Sequence, residues 1–298
     1  MKLKDFYPFL DPIGRVSEKP GYPNHGITDN PHLFTGEAVL LLSLLGKFDK
    51  SDMFEIRQNL LWTQAYPGLY RRHPFTFQNQ YKIPYHLSSH DEYNGICFLS
   101  CAIPEFQSYA REIVNYGKKC NSQYNDLKPG ANFLVPLLHS PLKTLKSLYQ
   151  YYKDHKANPH NTNAVDQRHA LDIVAVSTWR QPRDICFYKI AAQLKPSLFE
   201  SFYLGLAIIF TSYSKLTHQN RGGTLLLAWF RMIAIKKSKN EPLMVKFAHW
   251  YFNRRLTSKF GSSYAHIISI AYFNNVGKKG ELHPIRNLIK ELAILDDK

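Results

Sequence analysis

Two short acidic motifs stand where a polar segment of the chain gives way to an apolar, helix-forming one. The first is Asp29 in "DNPHLF", and the second is Asp91-Glu92 in "SSHDEYNGI". Paired carboxylates whose surroundings push their pKa values apart can serve as the acid and the base or nucleophile that cleave a glycosidic bond. We therefore predict Asp91 as the general acid, Asp29 as the second carboxylate and Glu92 as a further catalytic candidate. Glu37 is a weaker candidate, because the sequence does not indicate which way an acidic residue inside a helix points.

The second motif also fits a purely structural interpretation. Ser89-His90-Asp91-Glu92 matches the capping box S/T-x-x-E, in which the serine side chain and the third-position carboxylate each bind a backbone N–H at the start of a helix. On this interpretation Asp91 and Glu92 only place negative charge in the first helical turn, where the helix dipole favours it. The sequence leaves both interpretations open.

Side chains suited to sugar binding surround these motifs in the sequence. Two long segments without helical pattern, 15–31 and 66–88, are rich in Tyr, His, Asn and Arg, and each runs into the start of a helix. Because long ordered loops in compact domains are usually functional, we expect the two segments to meet, provided that the helices after them run in the same direction. A later Trp-Arg pair adds a flat apolar face and a bidentate donor. The predicted substrate-binding residues are His90, Tyr93, Arg72, His73, Trp179 and Arg180.

No motif points to a metal or a cofactor, and we predict neither. The chain has 13 histidines, but His86 lies before the predicted helix that His90 opens, so the two rings do not share one helical face. The sequence also lacks the glycine-rich phosphate loops of nucleotide-binding proteins and the G-x-S-x-G motif of serine hydrolases. The four cysteines have no zinc-type spacing and are expected to be reduced and buried: Cys97, Cys101, Cys120 and Cys186.

The hydrophobic pattern is helical. Apolar residues recur at spacings of three and four from about residue 32 onward, whereas strict alternation is nearly absent. This predicts an all-α protein of about a dozen helices in antiparallel pairs, arranged as an (α/α) toroid-like ring or an irregular helical bundle. We expect a single domain over 1–298 with a non-helical arm over 1–30, and a first helix that starts at Pro31 and stops at Gly46. Later helices are predicted at about 104–118, 141–155, 163–179, 183–194, 196–214, 222–237, 242–258, 262–273 and 284–295.

The chain carries a formal net charge of +15, which would attract phosphates, acidic polysaccharides or nucleic acid. Its most apolar segment, "FYLGLAIIF", is shorter than the roughly 18–20 residues that cross a bilayer. The N-terminus lacks the apolar region of a secretory signal. We therefore predict no membrane partner and a cytoplasmic location. The sequence does not indicate an oligomeric state.

The combination of paired helices with acidic polar loops resembles the (α/α) toroids of glycoside hydrolases and polysaccharide lyases. The stretches "DNPHLFTGEAVLLL" and "SSHDEYNGI" also resemble parts of uncharacterised bacteriophage proteins. The first resemblance implies a carbohydrate-active enzyme, hydrolase or lyase-like, or a glycan-binding descendant, which takes a polysaccharide or oligosaccharide in a cleft at one end of a helical ring. The alternative is a non-enzymatic phage structural protein or nucleic-acid-binding protein that uses the basic surface. A phage-encoded protein would act in the host cytoplasm or in the virion.

Overall fold

The apolar runs predicted as helices do form helices. The computed structural model describes residues 2–17, 20, 30–74, 90–119, 183–212, 219–260 and 284–296. This part of the chain is mostly helical, which confirms the all-α prediction. The helices are α1 (Pro31–Leu44), α2 (Met53–Thr63), α3 (His90–Ala102), α4 (Gln107–Lys119), α5 (183–191), α6 (Leu198–Ser212), α7 (Gln219–Ser238), α8 (Leu243–Phe260) and α9 (Pro284–Asp296). Short 3-10 helices occur at Leu3–Phe6, Lys50–Asp52 and Pro104–Phe106.

The boundaries of α1 follow the local sequence signals. The helix begins at Pro31, whose fixed φ and missing N–H suit the first helical position. Two residues after the helix ends, Gly46 adopts a φ of 67°, and the Lys47 N–H donates to the carbonyl of Leu42 at 2.8 Å. This is a glycine-terminated helix, as predicted. Three further predicted helices lie outside the described residues, at 141–155, 163–179 and 262–273, and the ring or bundle arrangement of the whole chain stays a prediction.

A two-stranded hairpin follows α2, where the sequence predicts that the second helix, capped by Ser51 or Asp52, continues until just before Pro67 and is followed by a non-helical connection; the helix ends earlier, at Thr63. Its strands β1 (Gln64–Tyr66) and β2 (Leu69–Tyr70) pair in antiparallel fashion. Gly68 in the turn has a φ of 85°, and a Cβ atom there would collide with the backbone carbonyl of Glu112 on α4. Glycine is therefore needed at this position both for its backbone angle and for the close approach to α4.

Helices α1 and α3 lie side by side and run in the same direction. Near the start of both helices, the His32 N–H donates to the Glu92 carboxylate at 3.1 Å. Near their ends, the Ser43 hydroxyl donates to the carbonyl of Ala102 at 3.3 Å. Contacts that advance together along both helices define a parallel pair. The two N-termini, and the acidic motif at the start of α3, therefore meet at one end of the fold.

Two glycines let the backbones of α1 and α3 touch. A Cβ atom on Gly36 would collide with the carbonyl group of Gly95, and one on Gly95 would collide with the carbonyl of His32. Because no side chain separates the helices at this level, backbone atoms set the distance between them. The first turns of both helices are consequently held at a constant relative position.

Helix α3 is the central helix of the described structure. Residues 92–103 are all buried, so the helix has no solvent face beyond its first turn. The ring of Phe98 packs against Phe187 of α5 and Phe230 of α7, with centroids 5.5 and 5.8 Å away. One apolar cluster includes side chains from each of the helices α1 to α9. The cysteines in the described ranges are free and buried, as predicted, and these are Cys97, Cys101 and Cys186. Cys120 lies outside those ranges.

The N-terminal arm docks into the same core. Residues 2–17 contain a 3-10 helix and a bridge between Leu10 and Val16. The Leu3 and Val16 side chains are fully buried in the apolar cluster. The Leu3 N–H also donates to the Asp52 carboxylate at 2.7 Å, which ties the arm to the start of α2. The arm is thus held by both apolar contacts and a buried hydrogen bond.

The most apolar segment of the sequence forms the middle of α6. Its Leu204 and Ile208 side chains are buried, while Phe202 and Phe210 are exposed. Helix α6 packs closely against α8 at Gly205. Across the described ranges, no helix is both long and apolar enough to cross a membrane.

Candidate active site

The first turns of α1 and α3 form one polar cluster where their N-termini meet. The backbone N–H of His32, the second residue of α1, donates to Oε2 of Glu92, the third residue of α3. The Asn30 side chain, at the N-cap of α1, makes no capping hydrogen bond. Glu92 therefore binds a backbone donor at the helix start in place of the local N-cap side chain. Its negative charge also lies at the positive ends of two helix dipoles, where it is favoured.

Glu92 and Arg72, both predicted site residues, form a buried ion pair. Arg72 Nε lies 3.8 Å from Glu92 Oε1, and the Glu92 side chain has no exposed surface. A charge at this depth needs such partners, because taking it out of water is costly. Glu92 thus binds the first turn of α1 from the neighbouring helix, while Ser89, the other half of the predicted capping box, lies outside the described residues. Its carboxylate is engaged in holding the fold together, and we do not include it in the catalytic pair.

Arg15 of the N-terminal arm extends this cluster. Its guanidinium pairs with the Asp11 carboxylate at 2.7 Å and donates to the backbone carbonyl of Arg72 at 2.8 Å. It also lies 3.5 Å from Nε2 of His32, and that nitrogen is 2.9 Å from the Thr63 hydroxyl oxygen. All five residues are buried. The arm is therefore part of the framework that positions the start of α1.

His32 is a site residue that the sequence analysis missed. Burial, followed by the charges of Arg15 and His73, lowers the pKa of His32 well below its ordinary value of 6.5. The ring is therefore neutral at pH 7. His73, a predicted binding residue, is itself buried beside this cluster. No sequence signal could have identified His32, because a histidine directly after Pro31 is an ordinary residue for a helix start.

Glu37 and Asp91 lie on neighbouring helices, near enough for the charge of Asp91 to act on the carboxyl group of Glu37. The Glu37 residue is only 4% exposed, and within the described part of the chain its Oε2 atom makes no hydrogen bond. Burial, and next the negative charge of Asp91, raise the pKa of Glu37 well above its ordinary value of 4.5. Asp91 is half-buried in the first turn of α3. The two groups therefore differ in environment, one being dry and the other open to water.

The remaining predicted residues are placed as follows. Tyr93 is fully buried: its hydroxyl accepts the Tyr70 N–H at 3.3 Å, and its ring lies 6.3 Å from that of Tyr188. Tyr93 therefore supports the core, and we do not include it in the binding set. His90 is the first residue of α3, and only its backbone is described. Three predicted residues lie outside the described ranges, and these are Asp29, Trp179 and Arg180.

Among the residues that the structure describes, no group of three or more His, Cys, Asp or Glu side chains is arranged to hold a metal ion. The polar groups at the α1 and α3 N-termini instead include two buried ion pairs, Arg15 with Asp11 and Arg72 with Glu92.

Comparison of the chain with family models, with curated proteins and with solved structures finds no match. Any function assigned to this chain therefore rests on the chemistry of its own residues. In the described structure, the feature best suited to acid–base catalysis is the buried carboxyl group of Glu37, near the half-buried Asp91.

Proposed function

We propose that this protein is a carbohydrate-active enzyme of the glycoside hydrolase type, in which Glu37 is the proton donor and Asp91 the second carboxylate. The observation that carries the proposal is the buried carboxyl group of Glu37, whose pKa is raised by burial and by the charge of Asp91. Cleavage of a glycosidic bond needs one carboxyl group that keeps its proton near neutral pH and a second that has lost it.

The two groups divide the reaction between them. Glu37, held in its protonated form, gives its proton to the glycosidic oxygen as the leaving sugar departs. Asp91 acts at the anomeric carbon, either as a base on a water molecule or as a nucleophile. If Asp91 is the nucleophile, Glu37 regains a proton from the water that hydrolyses the glycosyl-enzyme; if Asp91 is the base, Asp91 takes the proton of the water, and both carboxyl groups return to their starting forms by proton exchange with solvent. The contact between Gly36 and Gly95 supports this division, because it fixes the relative position of the helices that carry the two carboxyl groups.

The position of the pair also supports a sugar substrate. The sequence segments that lead into α1 and α3, 21–29 and 75–89, are rich in the Tyr, His, Asn and Gln groups that bind sugars. Parallel packing of α1 and α3, with α2 between them in sequence, is what a ring of antiparallel helix pairs produces. Asp29, Trp179 and Arg180 stay sequence-based candidates for contacts with the substrate.

The test is turnover of the full chain on a panel of neutral and acidic polysaccharides and oligosaccharides. Hydrolysis is measured as new reducing ends, and a lyase reaction as the ultraviolet absorbance of unsaturated products. Glu37→Gln and Asp91→Asn should each lower kcat by about 100-fold or more, because each removes one proton-transfer or carboxylate role. The matched control is Glu105→Gln, which changes an exposed carboxylate and should leave turnover unchanged. Full activity in a folded Glu37→Gln variant, or no turnover or binding on the whole panel, would reject the proposal.

A second candidate function is binding of single-stranded nucleic acid. It is favoured by the net charge of +15 and by an exposed aromatic and basic face on α8. On that face, the Arg254 guanidinium lies 5.4 Å from the ring centroid of Trp250, which is 52% exposed. Aromatic rings and cations together bind single strands by stacking and by phosphate contacts. Binding of mixed-sequence DNA or RNA that weakens steeply with salt, and that falls in Trp250→Ala, would support it. Undetectable binding at low salt would exclude it.

A further inference from the structure

A second polar cluster lies on a different side of α3, where α5, α6 and α7 surround a small cleft. The walls are mostly apolar side chains of α6 and α7, and the polar members are Arg183, Thr211 and Arg231. The cavity volume is about 20 Å³, which is enough for one or two groups of the size of a water molecule. The cleft is therefore sized for a small ion or for the end of a ligand.

The two arginines of the cleft share one carboxylate. Arg231 donates from Nη2 to Oδ1 of Asp184 at 2.6 Å, and Arg183 donates from Nε to the same oxygen at 3.0 Å. Arg231 also donates from Nε and Nη2 to Oδ1 of Asn94 on α3, at 3.1 and 2.9 Å. Asn94 is neutral, so among the residues that the structure describes here two cations face one anion, a formal excess of one positive charge.

Arg231 has a donor left over. The residue is 3% exposed, and its Nη1 atom makes no hydrogen bond within the described part of the chain. Buried guanidinium groups normally have their N–H donors engaged. Burial, and next the charge of Arg183, lower the pKa of Arg231. An unused donor of Arg231 and the excess positive charge of the described groups thus lie together at the cleft.

We propose that this cleft binds a small monovalent anion between Arg183 and Arg231, either free chloride or the carboxylate end of a short acid. One negative charge balances the excess charge of the cluster. Guanidinium groups are weakly hydrated, and the walls at Leu204, Ile208 and Leu227 are apolar, so a weakly hydrated ion is favoured over fluoride. The bound anion links α5, α6 and α7 to α3 through Arg231 and Asn94.

The first experiment measures thermal unfolding of the full chain at constant ionic strength, with sodium chloride replacing sodium fluoride. A bound anion should raise the melting temperature in a saturable way, and a concentration of 100 times Kd should increase the ratio of folded to unfolded protein by about 100-fold. Sodium formate, titrated in the same way, identifies the carboxylate source if it stabilises the protein where chloride does not. Absence of a saturable effect with either anion would overturn the proposal.

Two further measurements separate a site from a general salt effect. Arg183→Gln leaves Asp184 and Arg231 as a neutral pair, so it should abolish the anion-dependent rise. Arg254→Gln, on the exposed face of α8, is the matched loss of one positive charge and should retain the rise. Crystals of the unaltered protein soaked in bromide should show an anomalous peak between the Arg183 and Arg231 guanidinium groups. An empty cleft in that map, or equal stabilisation of Arg183→Gln and the unaltered protein, would refute the site.

Discussion

Replacing Glu37 by glutamine should change how the stability of this protein depends on pH. Because the pKa of Glu37 is raised in the folded state, the folded protein keeps a proton over a pH range in which the unfolded chain has lost it. The free energy of unfolding therefore falls as pH rises above the ordinary value of 4.5, by about 1.4 kcal/mol per pH unit, until the pH reaches the folded-state pKa. Glutamine has no such proton, so the variant lacks this decrease.

The size of the effect follows from the same relation. At pH 4.5 and below, glutamine and protonated glutamic acid have nearly the same shape and polarity, so the two proteins should be about equally stable. Over two pH units within the affected range, the difference grows to about 2.7 kcal/mol in favour of Glu37→Gln. Gain of stability together with loss of turnover is what distinguishes a catalytic carboxyl group from a structural one.

The assay is urea unfolding followed by tryptophan fluorescence, at pH steps from about 4.5 to about 8. The control is Glu105→Gln, because Glu105 is exposed and its loss should shift stability by less than about 0.5 kcal/mol at every pH. Curves of unfolding free energy that stay parallel for Glu37→Gln and the unaltered protein would refute the reasoning. So would a variant that is less stable at the upper end of the pH range.

Three more predictions concern the same end of the fold. Asp91→Asn removes the second cause of the raised Glu37 pKa, so the pH-dependent loss of stability should end at a lower pH in the same urea series. His32→Gln should remove a loss of stability on the acid side. Because the pKa of His32 is lowered in the folded state, the unaltered protein takes up a proton on unfolding below pH 6.5 and loses about 1.4 kcal/mol of stability per pH unit as the pH falls. The slope of the unfolding free energy against pH measures this loss. Gly95→Ala should cost about 3 kcal/mol or more, because its Cβ collides with backbone, whereas Gly205→Ala, whose Cβ would lie 3.1 Å from the nearest atom, should cost clearly less in the same unfolding assay.

Local signals in the sequence were enough to place most of the described helices. Pro31 and Gly46 mark the start and the stop of α1, and the helices predicted at 183–194, 222–237 and 284–295 are found with boundaries only a few residues away. These features depend on neighbours in the chain, through φ preferences, capping and hydrophobic spacing. The hairpin at residues 64–70 was not predicted, because strands of three and two residues are too short to show an alternating pattern.

The site was less predictable, because its contacts join residues far apart in the chain. Glu92 lies in a motif that predicts a cap for its own helix, yet its Oε2 binds the N–H of His32, 60 residues away. Whether Glu37 faces the core or the solvent depends on which helix packs against α1, and that is set by the contact between Gly36 and Gly95. A glycine inside a helical pattern indicates that another backbone approaches closely, but it does not identify which helix makes the contact.

The contact between Gly36 and Gly95 also has a consequence for recognising distant relatives of this chain. Since a methyl group at either position would push two backbones apart, both glycines should persist in any protein that keeps the parallel helix pair, while apolar residues around them can vary in concert. Gly36 is followed directly by Glu37, and Gly95 follows Asp91 by four residues. A relative too divergent for overall alignment should therefore carry Gly-Glu in one helix and Asp-Glu-x-x-Gly in a later one. The contact does not constrain the number of residues between the two motifs. A search for relatives should therefore require both motifs and leave the distance between them in sequence open.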